Sequence, residues 1–395
     1  MIPTLRRPSI ALFIALLAPF CKPVGIDGFP LLNRLFQLWK LAALVYLAAA
    51  LLTTIVSAKP RKKSAGLSGL CVFWLIYTLG CVRVGADVVT VATAAAASVF
   101  ILLLIDFEVR IGNGMLLMRA MACLFTACIC THILSVLLVR ADLLAFGDGT
   151  DKTYFLFGYD NYSAFFLYPM LSVILYYRNL RDGNIGLPGW GLMAAVVMTY
   201  MYTASMTAAG AGILMIGLFL IQRHWLTIRK VMEMKWLLLG TAVLLVLICV
   251  FQIQNVLASL LDSMSKGVTL NSRTIIWDKA IKLIIQRPVF GHGSFTPEQI
   301  SEHILYGTTH AHNLLLEVLL RAGLVGAGGY VLFLCGFARL WKQRRLLRSK
   351  ASVLVVGLVA YAVLSFMDFY PTIPVFYCFY GLLYNWERIE KMRAE

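Results

Sequence analysis

Two histidines lie two residues apart in Thr308-Thr309-His310-Ala311-His312-Asn313, directly before an apolar run over residues 314–330. Upstream is the one long polar stretch of the chain, residues 255–309, carrying Arg273, Arg287, His292 and His303. Imidazole exchanges protons near neutral pH, and guanidinium holds phosphate oxygens through charge-assisted hydrogen bonds. A cationic, histidine-bearing segment fixed to the mouth of an apolar helix points to chemistry at a membrane–water boundary.

The flanking elements must position these groups. Residues 272–286 read as an amphipathic helix that Ser272 can cap and Pro288 stops. Ile275, Ile276, Ala280, Leu283 and Ile284 fall on one face, and Lys279, Lys282 and Gln286 on another. Such a helix is expected to lie flat at the interface, with Trp277 at headgroup depth. Arg273 opens it, where its charge adds to the positive end of the helix dipole. Because a helix terminus also attracts anions, Arg273 is a candidate phosphate ligand; the alternative is an arginine snorkelling to lipid headgroups. Arg287 is the second candidate. Phe290-Gly291-His292-Gly293 reads as a tight turn presenting His292 between glycines that permit close backbone approach, or as a plain loop turn.

His310 and His312 can point the same way from a loop. They lack the i, i+4 spacing of a metalloprotease helix, and a zinc site from His292, His303, His310 and His312 would lack carboxylate or cysteine ligands. No metal and no cofactor is expected. Asn313, Glu317 and Arg321 share a helix face at i, i+4 and i+8. An acid and a base inside an apolar span mark a functional site or a paired structural bridge. Gly323, Gly326, Gly328 and Gly329 then allow close helix packing.

The 395-residue chain is 60% hydrophobic and 14% charged, with mean hydropathy +0.81. That composition defines an all-α, polytopic membrane bundle forming a single integral membrane domain over residues 1–395. Unbroken apolar runs exclude a barrel, whose strands would alternate. The net charge of +16 is explained by basic residues at helix ends and does not call for nucleic acid. The nine cysteines sit mostly in apolar runs, as packing residues do.

About twelve spans of membrane-crossing character are expected at residues 10–24, 35–56, 67–84, 88–105, 115–139, 162–177, 190–203, 208–221, 236–254, 313–338, 353–366 and 375–386. The first follows Arg6 and Arg7 without a clean small-x-small cleavage site, and so reads as a span rather than a signal peptide. Lys59 to Lys63, residues 223–235 and residues 339–350 are basic and assigned to the cytoplasm. Both termini then lie inside, and one long extracytoplasmic loop, residues 255–312, joins spans nine and ten.

His312-Asn313, nine residues, Gly323, two residues, Gly326 resembles the His-Asn/Gly-x-x-Gly signature of the bacterial O-antigen ligase and polymerase superfamily. Arg273 with Trp277, and the Arg287-Pro288-x-x-Gly291-x-Gly293 turn, resemble the same family, over residues 199–330. The chain departs from it at Met206, where members often carry arginine, and this inclines the reading toward a polymerase. The resemblance implies a bacterial inner-membrane, multi-pass enzyme: a metal-independent, inverting glycosyltransferase. It would move a glycan from a polyprenyl diphosphate to a sugar hydroxyl of an acceptor glycan or glycolipid, with membrane lipid around it. His312 is expected as the catalytic base, with Arg273, Arg287, His292, His310, Asn313 and Glu317 binding substrate. A transporter or flippase of lipid-linked saccharides is the alternative.

Overall fold

The computed structural model describes residues 8–57, 65–146, 153–224, 269–295, 299, 302–303, 310–335, 349–368 and 370–394. The expected ninth span, most of the long polar loop and the basic stretches at 225–235 and 339–348 lie outside the described residues. Within them every named element is helical, in keeping with an all-α bundle: α1 (Ile10–Leu17), α2 (Pro30–Ser57), α3 (Ala65–Val84), α4 (Val88–Arg110), α5 (Gly114–Arg140), α6 (Asp160–Asp182), α7 (Gly186–Tyr202), α8 (Met206–His224), α9 (Thr269–Gln286), α10 (Leu314–Cys335), α11 (Ser352–Met367) and α12 (Tyr377–Ala394). Among the described residues α3, α4, α5 and α10 are long and apolar enough to cross a membrane.

Local chemistry explains where several helices differ from the sequence reading. The first expected span stops after α1, and tight 3-10 turns follow at Ala18–Cys21 and Val24–Ile26. Pro19 and Pro23 are the cause, since proline lacks the donor that a helix interior needs. Helix α4 runs on to Arg110, where an i, i+4 pair with Asp106 (3.1 Å) supports its last turn. Helix α9 begins at Thr269, three residues before Ser272, and ends ahead of Pro288 as expected.

Helix α9 does not present Trp277 to headgroups. Ile276, Trp277, Ala280 and Leu283 are buried against Ala311, Leu316 and Leu320 at the start of α10, while Ile275 is exposed. Its apolar stripe is therefore covered by protein, and Trp277 is only 1% exposed.

Helices α3 and α10 touch backbone to backbone. A Cβ on Gly69 would meet Gly329 O at 2.4 Å, the approach that small residues permit between apolar helices. One set of contacts ties together one end of the bundle. Lys350 Nζ donates to Gly183 O at 2.6 Å, Asn179 Nδ2 to Lys350 O at 3.0 Å, and Ala351 N to Glu390 Oε1 at 3.0 Å. The opposite end carries the histidines.

Candidate functional site

Helix α10 is broken at Gly323 (φ 60°, ψ −165°). The 288–293 turn crosses it there. Leu324 N donates to Pro288 O at 2.7 Å and Val325 N to Val289 O at 3.1 Å, while His292 N donates to Leu320 O at 2.7 Å and Gly293 N to Arg321 O at 2.9 Å. The break frees backbone groups that a continuous helix would consume, and the turn satisfies them. Gly291, Gly293 and Gly323 all have positive φ, and a Cβ on Gly323 would meet Val289 O at 2.4 Å. The two glycine motifs of the sequence are thus two halves of one joint.

Helix α3 braces this joint from the other side. Arg83 Nη2 donates to Gly291 O at 2.9 Å, Tyr77 Oη meets Ser294 Oγ at 2.9 Å, and a Cβ on Gly293 would strike the Gly80 carbonyl carbon at 2.3 Å. His292 is buried here, its Nε2 2.8 Å from Leu283 O. Burial holds its imidazole below the usual histidine pKa against the Leu283 hydrogen bond, with Arg287, Arg83 and His303 adding repulsion. His292 and His303 both flank Phe295.

His310 and His312 meet a carboxylate that local spacing does not reveal. Asp368, just past the end of α11, is in direct hydrogen-bond contact through Oδ1 with His310 Nε2, and the same oxygen lies 3.5 Å from His312 Nδ1. The two imidazole rings are 4.0 Å apart. The other Asp368 oxygen accepts from Tyr370 Oη at 3.0 Å, and Tyr370 Oη is 2.8 Å from Tyr159 Oη. Since Tyr370 spends its one proton on Asp368, Tyr159 is the donor to Tyr370. Burial alone would raise the Asp368 pKa, but His310 and His312 hold it well below the ordinary carboxylate range. Asp368 is therefore an anion clamped between two imidazoles and a phenol.

The turn bearing the histidines is built by Asn313 and Glu317. Asn313 Oδ1 accepts from Leu315 N at 2.9 Å and Leu316 N at 3.2 Å, capping α10. Glu317 Oε2 accepts from Ala311 N at 2.8 Å, and its Oε1 from Arg321 Nε at 2.8 Å. His312 is held at φ 50°, a conformation costly for a residue with a Cβ and characteristic of sites where the surroundings over-determine the backbone. The side chain of His312 is 23% exposed and that of His310 6%, so His312 is the imidazole of the pair that a substrate can reach.

The two expected arginines have no contact with this cluster among the described residues. Arg287 is exposed at the end of α9; its backbone joins the turn, with Gly291 N donating to Arg287 O at 3.1 Å, and its guanidinium makes no hydrogen bond or ion pair among the described residues. Arg273 is part of α9, and its side chain lies outside the described residues. Met206 opens α8 as an exposed residue, next to Ser205, whose Oγ donates to Asn161 Oδ1 at 2.6 Å. Sequence reasoning missed Asp368, Tyr370, Tyr159 and Arg83. By sequence the Asp368-to-Pro371 stretch is only the link between the expected spans at 353–366 and 375–386, and Arg83 only the end of the span at 67–84.

A helical bundle with apolar helices long enough to cross a membrane, carrying a His–His–carboxylate cluster at one end, has the architecture of a membrane protein. Residues 187–331 match the O-antigen ligase family. The match bears out the resemblance in the motifs and runs from α7 into α10, through the glycine joint and both histidines; Asp368 and Arg83 lie outside it. No curated protein and no solved structure matches the chain. The family is one of glycan-transferring enzymes of the cell envelope, working on lipid-linked glycans and their acceptors.

Proposed function

We propose that this protein transfers a glycan from a polyprenyl diphosphate to a sugar hydroxyl of an acceptor glycan or glycolipid, on the outer side of the bacterial cytoplasmic membrane. It acts as a cell-envelope polysaccharide polymerase or O-antigen ligase. The observation that carries this reading is the partly exposed His312, inside the segment matching the family, facing the buried Asp368 carboxylate.

Within this reading each residue has a role. With its Nδ1 toward Asp368, His312 keeps Nε2 for the acceptor, the arrangement by which a carboxylate fixes the tautomer of a catalytic imidazole. Nε2 takes the hydroxyl proton as the acceptor oxygen bonds to the anomeric carbon. The bond from that carbon to the diphosphate breaks with its electron pair on the leaving oxygen, so configuration inverts and polyprenyl diphosphate departs. Arg273 and Arg287 neutralise that charge in place of a metal. His310 and Asp368 hold His312, while Asn313, Glu317 and the joint at His292 set the turn.

A second reading has its own support. His310, His312 and Asp368 offer ligand atoms all within 4.8 Å of one another, a set that suits a zinc ion. One experiment separates the two. Purified protein is given a polyprenyl-diphosphate glycan and an acceptor, with chelator present. A positioned base contributes ~10²–10⁴-fold, so His312→Ala is expected to lose transfer by that factor while still inserting and accumulating. Full transfer by His312→Ala refutes the base. Transfer lost on chelation and restored by a divalent ion replaces it with the metal reading.

A further inference from the structure

On the same end of the bundle as Asp368, a cleft of about 360 Å³ opens between α2 and α4. Asn33, Gln37 and Lys40 of α2, at i, i+4 and i+7, make a polar stripe along one wall, and Arg34 of the same helix is exposed outside the lining. Thr93 of α4 faces them and Tyr162 of α6 closes the back. The charges are unequal. Lys22, at the rim, is in contact with Asp27 and donates to Asn33 Oδ1 at 2.8 Å. The Lys40 ammonium is half-buried and makes no hydrogen bond or ion pair among the described residues, with Lys22 repelling it and Asp27 attracting it from the rim. It stands ten residues into α2, ~15 Å along the helix from Pro30 at 1.5 Å per residue. An ammonium at that depth is costly unless something anionic joins it.

The lining is suited to a sugar. Amides and hydroxyls donate and accept, as sugar hydroxyls do, and aromatic rings offer an apolar face. The back wall also leads to the site described above: the Tyr162 ring lies 4.4 Å from the Tyr370 ring, and Tyr370 donates to Asp368.

We infer that this cleft binds an acidic saccharide, a sugar bearing a carboxylate or phosphate that is salt-bridged by Lys40, as part of the acceptor glycan. The inference rests on the glycan-transfer reading above, and its test reads binding without turnover, so that either can fail alone. Full-length protein in phosphatidylcholine nanodiscs is titrated with methyl glucuronide, glucose 1-phosphate and neutral methyl glucoside, followed by saturation-transfer NMR. The two acidic sugars are expected to bind at least ~10-fold more tightly than the neutral one, the step that one salt-bridged hydrogen bond supplies. Lys40→Gln should erase that difference and Lys40→Arg keep it. Thr93→Val, which leaves every charge in place, should weaken all three sugars. Equal binding of acidic and neutral sugars overturns the inference, as does acidic preference that survives Lys40→Gln. Displacement of the acidic sugars by inorganic phosphate alone, or by phosphatidylglycerol in the nanodisc, with the neutral sugar never bound, also overturns it and assigns the cleft to phosphate or lipid headgroups.

Discussion

Gly291 and Gly323 lie in backbone contact, 32 positions apart in the chain: a Cβ built on Gly323 would meet Gly291 N at 2.5 Å, and one built on Gly291 would meet Gly323 N at 2.6 Å. Both have positive φ. Neither can gain a side chain without parting the turn from the helix break that it fills.

Gly323→Ala and Gly291→Ala are therefore expected to be strongly destabilising, since a positive-φ backbone alone costs roughly 1–3 kcal/mol for a residue with a Cβ and the contact adds to it. A melting temperature lowered by several degrees and lost transfer are the expected results. Gly328, which has nothing within 4 Å of its Cβ position, is the control: Gly328→Ala should melt as the parent does. Equal tolerance of all three would contradict the joint.

Asp368→Asn tests whether the carboxylate positions His312. The amide fits the same space but removes the charge that fixes the imidazole. We expect kcat to fall ~10–10³-fold, less than the ~10⁴ of a tightly bonded triad because the His312 contact is 3.5 Å, with KM little changed. Unchanged kcat would remove Asp368 from the mechanism.

The same residue sets an acid limit on stability. Its folded pKa is depressed, so its contribution is complete above the ordinary carboxylate value of about 4 and is lost as pH falls below that toward the folded value. Thermal melts of the parent protein should weaken on acidification through that window, and Asp368→Asn should show a shallower slope. Parallel slopes would mean that Asp368 is not the group responsible.

Glu317 and Arg321 form a buried pair, side chains 5% and 8% exposed. Removing one partner strands the other charge, a loss of ~3–5 kcal/mol in such settings. Glu317→Ala should melt well below the parent and also release Ala311 N, disturbing the histidine turn. Glu317→Leu with Arg321→Met should cost less than either single change; strict additivity would argue against coupling.

Sidedness is open to thiol labelling in a cysteine-free background. Ile285, 69% exposed on α9, belongs to the end we place outside the cytoplasm, and Asn184 to the other. Ile285→Cys should react with an impermeant reagent in spheroplasts and Asn184→Cys only after the membrane is opened. The reverse pattern would invert the orientation.

What the sequence determined by itself was local. Apolar runs long enough to span a bilayer, a proline that ends α9, an asparagine before Leu314 and a glutamate four residues before Arg321 act through hydrogen bonds and periodicity within a few residues. So the all-helical class, the two glycine motifs and the His310–Glu317 turn were legible. Packing decided the rest. Trp277 was amphipathic by period, but only the approach of α10 turned its face to protein instead of lipid. Asp368 meets His310 across 58 positions, Tyr370 meets Tyr159 across 211, and Arg83 meets Gly291 across 208. Spacing along the chain carries no signal at those separations, because each contact exists only after whole helices have packed side by side and brought their ends together.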